Sequence, residues 1–144
     1  MGLSVFGMYS KQVKLEGSGV WRPATDYHII HTPGHTAGSI CVLMLADASS
    51  EGVLFSGDHL AYSNSKKRLE GFKRYCQGNT DLQSEYIRYL AESPEVEDFT
   101  WLLPGHGRMI RFPSQQERRA AILVAADEYD KEDAADGAFG IGYA

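Results

Sequence analysis

Three apolar segments of this sequence each end at a glycine-containing corner, and each corner is followed at once by a side chain that can bind a metal ion. Proline fixes φ near about −65° and glycine accepts positive φ, so Pro-Gly suits a tight turn that stops a strand at the rim of a sheet. If the three strands end at one rim, the three side chains converge. The corners are Pro33-Gly34-His35 in "IIHTPGHTAGS", Gly57-Asp58 in "VLFSGDHL" and Pro104-Gly105-His106 in "WLLPGHGR".

Length and hydrophobic pattern predict one α/β domain. The chain has 144 residues, which is enough for a single modest core. β-branched and apolar runs predict strands at 27–32, 39–46, 52–57 and 99–103, and the continuous run "SICVLMLA" predicts that the second is buried on both faces. One or two further strands are expected within Leu3–Glu16.

Two capping boxes predict the helices. Thr80 with Gln83 opens a helix that runs to about Ser93, and Ser114 with Glu117 opens a second helix. With helices following strands, we expect one domain over residues 1–134, and the acidic, then glycine-rich end at 135–144 is expected to be a flexible tail.

The side chains on the three corners form a metal-binding set. Two imidazoles and a carboxylate suit a catalytic zinc or iron ion with one position open for water, whose pKa then falls from about 15.7 to about 7. One such corner alone is more often an ordinary loop, but three together favour a site.

His59, beside Asp58, is either a further ligand or a residue that supports one. His28 and His31 are three apart in a strand, so they face opposite sides, and packed strand histidines are expected there.

Charge and composition exclude several classes of function. The net charge of −5 argues against nucleic-acid binding, and no apolar run approaches the roughly 20 residues that cross a bilayer. Cys41 and Cys76 form no CxxC motif, so reduced thiols are expected. No secretory signal pattern is present, so we expect an intracellular protein, in the cytoplasm or alternatively in a plastid.

A local basic cluster departs from the acidic average. Such a cluster is usually part of a solvated surface, and the functional alternative is that it binds the anionic tail of a substrate. The cluster follows Asp58 in "KKRLEGFKR" and consists of Lys66, Lys67, Arg68, Lys73 and Arg74.

Taken together, "HTPGHTAGSI", "LFSGDHL" and "LLPGHG" resemble the third, fourth and fifth metal-binding motifs of the metallo-β-lactamase-fold hydrolases, which include the hydroxyacylglutathione hydrolases (glyoxalase II). The resemblance implies that His35 binds one zinc ion, that His106 binds a second, and that Asp58 bridges them as the catalytic carboxylate, with iron as an alternative metal. It implies hydrolysis of a small anionic ester or thioester by metal-bound hydroxide. Tyr62 and Tyr75 are weaker candidates for lining the cleft. The segment "GDHLAYS" is most similar to a branch of this family found in cyanobacteria and plastid-bearing organisms.

One family motif is missing from the sequence. His-x-His-x-Asp-His, which should lie upstream of His35 and complete both metal sites, does not occur. The chain is therefore expected to be the C-terminal part of an αββα sandwich with an incomplete active site, and to be inactive alone. The sheet face led by "ICVLML" would then be uncovered, so a second copy or another chain is expected to cover it. Alternatives are a non-catalytic metal-binding or subunit module that pairs through this sheet, and a mononuclear iron site that performs redox chemistry.

Overall fold

A computed structural model describes residues 15–132 of the protein. In chain order its strands are β1 (Val20–Trp21), β2 (Tyr27–His31), β3 (Ile40–Met44), β4 (Val53–Gly57), β5 (Ala61–Ser63), β6 (Arg68–Glu70), β7 (Trp101–Pro104) and β8 (Ile110–Arg111). The helices are α1 (Thr80–Glu92) and α2 (Gln115–Lys131), and a single 3₁₀ turn spans Lys73–Tyr75. Neither helix has the length and apolar character needed to cross a bilayer.

The main sheet has six strands in the order β1-β2-β3-β4-β7-β8, and β5 pairs with β6 in a separate hairpin. Strands β2, β3 and β4 are antiparallel neighbours, whereas β4 and β7 are parallel. It follows that β2, β4 and β7 all run in the same direction. Their carboxyl ends therefore lie along one edge of the sheet, as the convergence of the three corners requires.

The hydrophobic core lies between one face of the sheet and the two helices. From the sheet it takes Ile30, Leu43, Leu54 and Leu102, and from the helices it takes Ile87, Leu90 and Ile122, which are all at most 1% exposed. Complete burial of a side chain of this size stabilises a fold by about 1.5–3 kcal/mol. This layer therefore holds the strands, and so the three corners, in a fixed arrangement.

The opposite face of the sheet, which we call the outer face, is apolar and uncovered within residues 15–132. Ile40, Met44 and Phe55 are 42%, 37% and 42% exposed. The register aligns four apolar side chains of this face in one row across the sheet, namely Ile29, Val42, Phe55 and Leu103. The prediction that β3 is buried on both faces is wrong for the described chain, because the helices cover only one side and burial along β3 alternates.

The two predicted helices are present, but only one predicted cap is right. At α2, Ser114 Oγ accepts the backbone N–H of Glu117 at 3.1 Å, as the capping box requires. At α1 the cap is Asn79, whose side chain accepts the N–H of Leu82 at 3.0 Å, and Thr80 is already helical. Gln83 cannot complete a capping box because its side chain is directed into the core.

Two predictions concern segments at the ends of the chain. The strands expected within Leu3–Glu16 lie outside the described residues, except that Leu15 and Glu16 are not in a strand. The flexible tail expected at 135–144 lies entirely outside them.

Candidate metal site and cleft

The three predicted ligand residues come together at the edge of the sheet where β2, β4 and β7 end. Asp58 directly follows β4, His106 lies two residues beyond β7, and His35 lies four residues beyond β2. His35 Nε2 is 3.8 Å from Asp58 Oδ2, and His106 Nε2 is 3.5 Å from Asp58 Oδ1. Each imidazole thus faces a different oxygen of one carboxylate.

These distances are close to those expected between ligands of one metal ion. Two ligands about 2.1 Å from a tetrahedral zinc ion are about 3.4 Å apart. By donor type and separation, His35 and His106 would each be able to hold a metal ion together with Asp58. The number of ligands falls short, because within residues 15–132 no group of three or more His, Cys, Asp or Glu side chains is arranged to hold a metal.

The support behind His35 is also incomplete in the described chain. A metal-bound histidine usually donates its second ring N–H to a carboxylate or carbonyl, which fixes the ring orientation. His35 Nδ1 is buried and has no hydrogen-bond partner within the described residues. The orientation of the ring is therefore set by packing rather than by such a bond.

Glycines allow the corners to approach each other closely. Gly105 N donates to Gly57 O at 2.8 Å, and a Cβ on Gly105 would lie 2.8 Å from Asp58 Oδ1. Gly57 itself has a φ of +53°, which turns the chain sharply after β4. A larger residue at position 105 would push the His106 corner away from Asp58.

The three side chains line a cleft of roughly 590 Å³. The opposite wall is the segment between β6 and α1, which contributes Gly71, Phe72 and the residues from Arg74 to Gln77. Tyr62 and Tyr75, both proposed from the sequence, line the cleft as well. The cavity combines apolar walls with a few polar groups, which is the usual form of a small-molecule site.

Most of the basic cluster serves the structure around the C-terminal end of α2. Lys66 Nζ contacts Glu132 at 2.6 Å and Glu70 at 2.7 Å, and the hydrogen bond to the Glu132 carboxylate raises the pKa of Lys66. Lys73 Nζ donates to the backbone oxygen of Glu132 at 2.8 Å. Arg68 forms an ion pair with Glu128 at 2.7 Å.

The two other members of the cluster differ in position. Lys67 is exposed and has a φ of +56° in the turn between β5 and β6. Arg74 is the one member of the five that lines the cleft, and its guanidinium lies 4.7 Å from the ring centre of Tyr75.

Arg108, which the sequence interpretation missed, is an exposed residue that packs on a side chain of the cleft lining. Its guanidinium lies 4.1 Å from the ring centre of Tyr62, which lines the cleft. Within the described part of the chain, neither Arg108 nor Arg74 forms an ion pair, in contrast to Arg68 and Arg118. A usable signal was its place two residues after His106, at the end of the "LLPGHGR" motif.

The remaining histidines lie away from the cleft lining. His59 is 1% exposed, and burial lowers its pKa to about 4, so it is neutral at pH 7. His28 is buried in β2. His31 contacts the rings of Trp21 and Tyr86 at centroid distances of 5.9 and 6.3 Å. His28 and His31 are thus packed histidines of a strand, as expected.

Solved structures with a similar fold are metallo-β-lactamases. FIM-1 from Pseudomonas aeruginosa, solved in a mono-zinc form, is 16% identical with a TM-score of 0.55 over 83% of this chain and 47% of its own. DIM-1 is 17% identical with a TM-score of 0.50 over 79% of this chain and 47% of its own. TMB-1, studied for substrate and inhibitor binding, is 17% identical with a TM-score of 0.56 over 83% of this chain and 49% of its own.

This chain therefore spans about half the length of the solved structures it matches. No protein-family profile matches the sequence, and comparison with curated proteins gave no match. The predicted fold, part of a metallo-β-lactamase-like α/β sandwich, is confirmed by the structural matches. The partial coverage is consistent with the predicted C-terminal half.

Proposed function

We propose that this chain carries one part of the active site of a metal-dependent hydrolase, with His35, Asp58 and His106 as the metal ligands. The observation that carries the proposal is the pair of contacts in which the two imidazoles face different oxygens of Asp58 at the wall of a cleft. Zinc is the proposed metal and iron is the alternative. The similarity of fold to a structure solved in a mono-zinc form supports this choice.

The side chains of the site have distinct roles in this proposal. Asp58 supplies the negative charge between the two histidines, and both imidazoles have to be neutral, with the proton on Nδ1, for Nε2 to face a cation. Zinc, when bound, supplies a hydroxide at neutral pH and polarises a carbonyl oxygen. The rings of Tyr62, Phe72 and Tyr75 exclude water from the apolar part of a substrate.

The proposed substrate is a small anionic ester or thioester. Arg74 and Arg108 support this choice, because each guanidinium is held against an aromatic ring and has no carboxylate partner within the described chain. A guanidinium binds a carboxylate through two parallel hydrogen bonds. We therefore propose that Arg74, of the five basic residues suggested by the sequence, binds the anionic end of the substrate.

The proposal also includes a partner layer on the outer face. Two ligands per ion are fewer than the usual three of a catalytic zinc, and the exposed row around Phe55 is an apolar surface of the kind that marks an interface. In each of these solved structures, the part that this chain does not match is about as long as this chain. We therefore propose that a complementary half-domain, with an apolar sheet face and further metal ligands, covers the outer face. An intracellular location, in the cytoplasm or a plastid, stays a prediction.

A second candidate function is a non-catalytic module that binds metal weakly or pairs through the outer face. The lack of a group of three ligands within residues 15–132 favours it. The two candidates differ in whether the cleft binds substrate once metal is present.

Zinc titration by calorimetry tests the metal site. Asp58→Asn keeps the shape of the side chain but removes the shared charge, so the affinity for zinc should fall at least about tenfold. Asp26→Asn is the matched control, because Asp26 is exposed and its side chain has no ion pair within the described residues. Zinc affinity that is equal in Asp58→Asn and the parent chain would refute the proposal.

Binding of a non-hydrolysable, carboxylate-bearing thioester analogue to the zinc-loaded chain tests the substrate class. Arg74→Gln should weaken binding by about tenfold or more, because a hydrogen bond to a charged group contributes about 1.5–3 kcal/mol. Lys67→Gln is the control, since Lys67 is exposed and does not line the cleft. If both changes weakened binding of the analogue equally, or if neither weakened it, an anion site at Arg74 would be contradicted.

Light scattering coupled to size-exclusion chromatography tests the outer face. The isolated chain should associate in a concentration-dependent way, and Phe55→Lys should reduce that association by placing a charge in the apolar row. A discrete dimer would identify a second copy as the occupant instead of a different half-domain. A chain that stays monomeric at high concentration would exclude a second copy as the occupant of the face.

A further inference from the structure

Gln83 is a buried polar residue in the first turn of α1. Its relative exposure is 0%, and it lies among apolar side chains of the core. A buried amide is costly unless its hydrogen bonds are made. The hydrogen-bond partners of Gln83 therefore indicate its structural role.

The amide of Gln83 is fully hydrogen-bonded, and both of its N–H groups go to the two sides of the cleft. Nε2 donates to the backbone oxygen of His59 at 3.2 Å and to that of Gly71 at 2.8 Å. Oε1 accepts the hydroxyl of Tyr129 from α2 at 2.8 Å. His59 directly follows Asp58, and Gly71 begins the opposite wall, so one side chain connects the ligand corner to the wall that faces it.

The backbone around Gln83 holds the first corner in the same way. A Cβ on Gly34 would lie only 2.3 Å from Gln83 Cα, so the corner packs directly on the helix. Asn79 N donates to Gly34 O at 2.8 Å, and Gln77 N donates to His35 O at 2.9 Å. The start of α1 thus contacts the corners that carry His35 and Asp58.

We propose that Gln83 is a positioning residue, whose amide fixes the distance between the Asp58 corner and the wall from Gly71 to Gln77. An apolar side chain of the same length would fill the core equally well but would leave both carbonyl oxygens without a donor. Because the two carbonyls belong to different loops, their shared donor couples the loops to each other. The inference rests on the proposed function only in taking this cleft as the active site.

Hydrogen exchange followed by mass spectrometry tests this role against simple core packing. Gln83→Met keeps the length and removes both donors. Tyr129→Phe is the matched control, since it removes the third bond of the same amide but keeps both donations. We expect exchange in segments 58–62 and 71–77 to become about tenfold faster in Gln83→Met than in Tyr129→Phe, as measured against the exchange of β3 in each variant.

A second variant keeps the test decisive if Gln83→Met does not fold. Gln83→Glu preserves the shape and the bond from Tyr129 but cannot make both donations at once, so the same two segments should exchange faster. The same exchange pattern in the Gln83 variants and in Tyr129→Phe would overturn the proposal, because it would show that Gln83 contributes only to general stability.

Zinc affinity provides a readout of the site itself. Gln83→Met should bind zinc several-fold more weakly than the parent chain, whereas Tyr129→Phe should bind it equally well. A parent chain that binds no zinc would refute the proposed function and leave the exchange experiment to decide the role of Gln83. A parent chain that binds zinc with the same affinity as Gln83→Met would overturn the positioning role at the metal.

Discussion

Replacing Gly34 with alanine should strongly destabilise the fold, although the change adds one methyl group. Gly34 has a φ of +139°, where an L-residue is strained by about 1–3 kcal/mol. The new Cβ would also lie 2.3 Å from Gln83 Cα, which is backbone that cannot move without shifting α1. Overpacking of this kind costs about 1–3 kcal/mol. We expect a loss of about 2–6 kcal/mol, against the roughly 5–15 kcal/mol total stability of a typical domain.

Gly38, in the same loop, provides the control. A Cβ on Gly38 would meet no atom within 4 Å, and its φ lies outside the left-handed region. Gly38→Ala should therefore be neutral or stabilise the fold by up to about 1 kcal/mol. Urea unfolding followed by circular dichroism gives both values. A difference of less than about 1 kcal/mol between the two variants would refute the close packing of this corner on α1.

Three further predictions concern the core and the helix start. Burial raises the pKa of Cys41 from 9.0 to about 12, so the free energy of unfolding should fall as pH rises above 9, by about 1.4 kcal/mol at pH 10. Cys41→Ala should not show this pH-dependent fall when both proteins are unfolded with denaturant. Asn79→Ala should lower the free energy of unfolding by about 1 kcal/mol and Thr80→Ala by less than half of that, and the reverse order would restore Thr80 as the cap. Leu54→Ala, at a fully buried position, should cost about 2–5 kcal/mol in urea unfolding, and a loss below 1 kcal/mol would contradict the core as described.

The longer elements could be predicted from the sequence because their signals are local. Strands β2, β4 and β7 follow from apolar runs that stop at glycine or proline, and β3 follows from an apolar run that stops at the turn-rich segment "DASSE". Helix α2 follows from its capping box. The short strands β1, β5, β6 and β8 have two or three residues each, too few to show a period. The cap of α1 was misplaced because Gln83 is needed in the core, which no local pattern reveals.

The sequence predicts the residues of the candidate site but not their surroundings. His35, Asp58 and His106 each follow a strand end, and the sheet order brings those ends to one edge. The basic cluster was harder to interpret, because two of the glutamates that bind Lys66 and Arg68 lie about 60 residues later, in and just after α2. Only the tertiary structure separates these structural ion pairs from Arg74, which reaches the cleft.

The glycines of this site and the residues proposed as metal ligands differ in how much the stability of the fold depends on them. The side chains of Asp58 and His106 are 43% and 87% exposed and contribute little to the core, so they can be replaced with little loss of stability. Gly34 and Gly78 approach so closely that a Cβ on Gly78 would lie 2.4 Å from Gly34 O. A chain that lost its chemistry while keeping its fold would therefore change Asp58 or His106 before either glycine. The presence of all four residues here favours the metal-site proposal over a module that only pairs through the outer face.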